Sequence, residues 1–127
     1  MLLVLFFERN KMIEDIQKQA VYVAELTQER DTAKDELQEV EDMVTTDVLG
    51  ERDTSGKPAF SNETSRAIAV RERCRQLARW RAAKDKLDAK ELLKAAETAR
   101  LERYRNEFAI WKIERRREIA EMEAVNV

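Results

Sequence analysis

Apolar residues return along the first part of the chain at steps of three and four: Ile13, Ile16, Ala20, Val23, Leu26, Ala33, Leu37, Val40 and Val44. That spacing lays one stripe along a helix, and it predicts a helix over about residues 3–49. Arg30 falls on the stripe, where its stem can cover apolar surface while its head reaches water. The consecutive three-residue steps Ala20, Val23 and Leu26 break a strict heptad. A second stripe runs through Ala67, Val70, Cys74, Leu77, Trp80, Ala83 and Leu87. It continues through Leu92, Ala96 and Ala99, then Leu101, Tyr104, Phe108, Trp111, Ile119 and Met122. No Gly or Pro lies between residues 64 and 127, so one unbroken helix over about 62–123 is expected.

The two glycines and one proline all lie between these stripes. Gly50 suits the left-handed position that ends a helix. Asp53, Thr54, Ser55 and Gly56 have turn chemistry, and Pro58 holds Lys57 extended. Ser61 or Asn62 caps the second helix, with Glu63 in its first turn against the positive dipole end. Phe60, just before the cap, can cover the turn as a hydrophobic staple does. The expected fold is all-α. It is one long antiparallel helical hairpin with coiled-coil character, a single domain over residues 1–127 with a capped turn at about 50–61.

Charge agrees with that picture. Of 127 residues, 39% are charged, a balance typical of long helices. Residues 1–63 hold seven Lys/Arg against fifteen Asp/Glu; residues 64–127 hold seventeen against eleven. Folding about residue 56 sets the acidic stretch from Glu25 to Asp42 against the basic stretch from Arg71 to Lys86, with residue 36 opposite about residue 75. Each exposed pair contributes only up to about 1 kcal/mol, so the charges specify register while apolar burial stabilises. The same folding places Leu3, Leu5, Phe6 and Phe7 near Tyr104, Phe108 and Trp111. Two helices leave much of each stripe wet, and large apolar patches mark interfaces. A homo-oligomer is therefore expected, four-helix dimer or higher, with those seven residues as the association surface.

The seven apolar residues from Met1 to Phe7 fall short of the roughly 20 needed to cross a membrane. They lack a basic flank and a cleavage site, so a signal peptide is not expected. The run packs in an interface or precedes a start at Met12; the interface reading is preferred. One cysteine, Cys74, excludes a disulfide within the chain and reads as a buried thiol. The absence of histidine excludes His-based acid–base catalysis and His-ligated metals. A cytoplasmic location is expected.

Candidate chemistry is thin. Gly50 to Lys57 has five residues between its glycines and Pro58 after Lys57, so it fails as a phosphate loop. Glu51, Asp53, Ser55 and Gly56 match part of a calcium loop, but Asn62 stands where a bidentate Glu belongs. The pairs Glu36/Glu39 and Asp85/Asp88 do not converge in the expected register. These readings leave no catalytic residue, no metal and no cofactor, and the chain is read as non-enzymatic. Arg115, Arg116 and Arg117 offer the best nucleic-acid site, as an alternative to the interaction role, although a sequence pI near 5.4 argues against a dominant basic footprint.

Gly56, Lys57, Pro58, Ala59, Phe60, Ser61, Asn62 and Glu63, followed by Arg66 and Ala67, resemble a recurrent turn in small helical proteins of phages and prophages. The similarity covers about a dozen residues and the helical architecture. It implies a mobile-element accessory protein and carries over no catalytic residue.

Overall fold

Buried positions on the first helix follow the heptad more strictly than the apolar residues do. In a computed structural model, which describes residues 2–125, this helix, α1, spans Leu2–Gly50. Met12, Ile16, Gln19, Val23, Leu26, Arg30, Ala33, Leu37, Val40 and Val44 are all buried or half-buried. The steps alternate four and three throughout, so the interruption expected at Ala20 is absent: the seam passes through Gln19, which is polar. Two further helices follow, α2 (Glu63–Gln76) and α3 (Ala78–Val125). The protein is all-helical, with its helices packed against one another. Met1, the first residue of the apolar run, lies outside the described residues.

Between α1 and α2 the chain forms a self-contained loop. Asp53 Oδ1 accepts hydrogen bonds from the Ser55 amide (2.8 Å), the Ser55 hydroxyl (2.6 Å) and the Lys57 amide (3.0 Å). Arg52 and Pro58 form an isolated antiparallel bridge, and the Ala59 amide donates to Glu51 O at 3.0 Å. Gly56 has φ +81° and supplies the left-handed turn. Gly50 does not: it is the last residue of α1, and Gly56 is the one positive-φ residue among those described. Asn62 caps α2, its side-chain oxygen accepting from the Ser65 amide at 2.7 Å.

The single helix expected over 62–123 is interrupted at Leu77, which is extended (φ −83°, ψ 121°). The Leu77 amide donates to Cys74 O and the Leu77 carbonyl accepts from the Arg81 amide. The Arg75 carbonyl, freed by the break, accepts from Arg81 Nη1 at 2.8 Å. No helix-breaking residue is present; packing supplies the cause. At about 100° per residue, Cys74 and Ala83 would point to opposite faces of an unbroken helix. Yet Cys74 packs with Val44 and Val48, and Ala83 with Ala33 and Leu37, all on one stripe of α1. The break lets both meet it, and Leu77 itself turns outward.

Contacts divide the chain into two units. One holds Thr27–Leu92. Its core joins Val44, Val48, Ala69 and Cys74 in one cluster and Ala33, Leu37 and Leu87 in another, and Trp80 packs against both. Glu36 pairs with Lys86 at 3.0 Å and Glu29 with Lys90 at 3.3 Å. Residue 36 therefore meets residue 86, not 75. The fourteen residues of α2 share a cleft with only Glu41 to Leu49 of α1. Beside the loop Glu51 already binds Arg73, so the offset is set there: the chain turns about residue 61 rather than 56.

The other unit holds the chain up to Leu26 together with the chain from Leu93 onward. Here Gln19 is only 8% exposed, and its Nε2 donates to Glu97 O at 2.9 Å and Glu97 Oε2 at 2.7 Å. Leu101 is buried, and Tyr104, Phe108, Trp111 and Arg115 are half-buried at alternating steps of three and four. Of the residues expected on the α3 seam, Ala96 and Ala99 in this unit, and Leu92 in the other, are exposed. The seam runs through Lys90, Lys94 and Glu97 instead, whose long stems cover apolar surface while their charged ends stay polar.

Candidate functional site

The expected association surface splits in two. Leu3, Phe6 and Phe7 are 66%, 54% and 60% exposed, and Leu5 is half-buried. Tyr104, Phe108 and Trp111 face their own unit. Trp111 Nε1–H donates to Glu8 Oε2 at 3.2 Å, which joins the two segments. The rings of the two groups do not meet: Phe6 contacts Phe7, and Phe108 stacks on Trp111, each with centroids 6.0 Å apart. On α3 of this unit the exposed large apolar residues are Ile110 and Ile113, beside Trp111, with Leu93 before them and Ile119, Met122 and Val125 after.

The arginine cluster is partly committed. Arg115 pairs with Glu118 at 3.2 Å and Glu114 at 3.6 Å, and its guanidinium lies over the Trp111 ring. Arg116 and Arg117 are exposed. Glu51, the first candidate calcium ligand, is held by both terminal nitrogens of Arg73, whose guanidinium also lies over Phe60. That bond with Arg73 lowers the Glu51 carboxyl below its ordinary range and raises Arg73. Asp53 is lowered by the Ser55 hydroxyl and then by the Lys57 amide. Among the described residues no three His, Cys, Asp or Glu gather to hold a metal ion. Among the described residues no helix is long and apolar enough to cross a membrane.

A feature without a signature in the sequence is a cleft of about 720 Å³ in the unit Thr27–Leu92. One face of α2 supplies Glu63, Arg66, Ala67, Val70, Arg71 and Cys74, at helical spacing. From α1 come Glu41, Thr45, Val48 and Leu49, and Trp80 closes one end. The Trp80 indole N–H donates to Glu41 Oε1 at 3.2 Å, which fixes both side chains. Burial, and then Glu41, pushes the Cys74 thiol up from its ordinary value, so it lines the wall as a neutral group. Its walls come from α1, α2 and Trp80, segments far apart in the chain, so no local motif announces it. Compared with family models, with curated proteins and with solved structures, the chain matches none.

Proposed function

We propose that the protein is a non-enzymatic interaction or scaffold protein. In this reading it is a long antiparallel helical hairpin with coiled-coil character, works in the cytoplasm, and self-associates through the apolar surface of its terminal unit. The resemblance of its turn to phage and prophage proteins makes a mobile-element accessory role part of the proposal. One observation carries it. Leu2, Leu3, Val4, Phe6 and Phe7 are each more than half exposed, and so are Ile110 and Ile113 in the same unit. Soluble monomers rarely leave that much large apolar surface in water. The strict alternation of seam positions on α1 and α3 supports the coiled-coil part of the reading. The test is the Phe6→Glu/Phe7→Glu variant measured by light scattering. Its mass should fall to that of one chain while its helicity is kept; an unchanged mass would refute the assigned surface.

A further inference from the structure

We infer that the cleft between α1 and α2 binds an amphipathic monocarboxylate, an acid with an alkyl or aryl body. A volume of about 720 Å³ lies within the range of small-molecule sites. Its floor is apolar, built from Val48, Val70, Cys74 and Trp80, and Trp80 is locked by its bond to Glu41. At the rim stand Arg66 and Arg71, neither of which forms an ion pair with another described residue. Their planar forks match a carboxylate in two-pronged geometry.

The other rim charges set the ligand's own charge. Glu41 and Glu63 balance the two arginines, so the empty rim is neutral. One negative charge placed against the arginines is favoured, whereas a second would meet the glutamates without a further cation. The site therefore selects a monoanion over a phosphate dianion, and an acid over the corresponding alcohol. This inference stands apart from self-association, because the cleft belongs to the unit Thr27–Leu92 and the proposed association surface to the other.

The experiment is calorimetric titration of the full chain with octanoate, 1-octanol and octyl phosphate, below their micelle concentrations. Octanoate should bind at one site per chain, and the alcohol and the phosphate should each bind about tenfold more weakly. In a Trp111→Phe background the remaining fluorescence, from Trp80, should change with the same saturation curve. Arg66→Gln with Arg71→Gln should weaken octanoate about tenfold and leave octanol unchanged. Ala67→Trp should fill the cleft and abolish binding of all three. Absence of saturable binding, equal binding of acid and alcohol, or undiminished binding by a folded Ala67→Trp chain would overturn the inference. Should Ala67→Trp not fold, the three-ligand comparison and the Trp80 signal on the intact cleft decide it.

Discussion

Asn62 shows how much one side chain can settle. It takes the Ser65 amide, one of the donors that a helix start leaves without a partner, and it does so where an extended loop becomes α2. Asn62→Ala should lower stability in chemical denaturation by about 1 kcal/mol, and Asn62→Asp should leave it nearly unchanged. Four residues before Pro58's neighbour Ala59 closes the loop, Ser55 binds Asp53, whose carboxyl organises the turn. The pKa values of Asp53 and Glu51 are both lowered in the fold. Their stabilisation is therefore present above the unfolded carboxyl range, at about pH 4, and is lost as pH falls through the lower folded values. Thermal unfolding followed across that window should show the midpoint dropping on acidification, and Asp53→Asn should make the drop shallower.

At the scale of the element, polar residues decide what apolar spacing leaves open. Gln19 and Glu97 occupy seam positions on α1 and α3 and satisfy each other. Removing one partner, as in Gln19→Ala, leaves Glu97 with only its long ion pair to Arg100 (3.7 Å) and should cost about 1–3 kcal/mol. Replacing both with Leu should keep or raise stability but loosen the register, because a polar pair in a seam tolerates fewer alignments. Denaturation curves and the spread of masses in solution distinguish the two outcomes. The same pair explains a misreading from sequence. Apolar residues alone drew the α3 stripe through Leu92, Ala96 and Ala99, while Lys90, Lys94 and Glu97 hold the seam. Their stems are apolar even though their ends are charged, and a residue-type pattern scores only the ends. The consecutive three-residue steps Ala20, Val23 and Leu26 were the one visible trace that a polar neighbour, Gln19, carries the seam. The all-helical class, a cap at Ser61 or Asn62 and the Gly56 turn were legible because each rests on local chemistry; the structure places the cap at Asn62. The break at Leu77 was not, since it answers to which stripe of α1 receives Cys74 and Ala83.

At the scale of the molecule, burial distinguishes two uses of aromatic residues that the sequence set together. Phe108 and Trp111 form part of the packing of their own unit, and Trp111 holds Glu8. Phe108→Glu with Trp111→Glu should therefore lower helicity and the unfolding midpoint, whereas Phe6→Glu with Phe7→Glu should change association alone. Circular dichroism and light scattering on the two variants separate these effects. The most direct test of the central proposal is sedimentation equilibrium of the unaltered chain over a wide range of concentration. A mass that rises to a fixed multiple of the single chain is the result expected from its exposed apolar residues. A mass of one chain at every concentration would contradict the proposal.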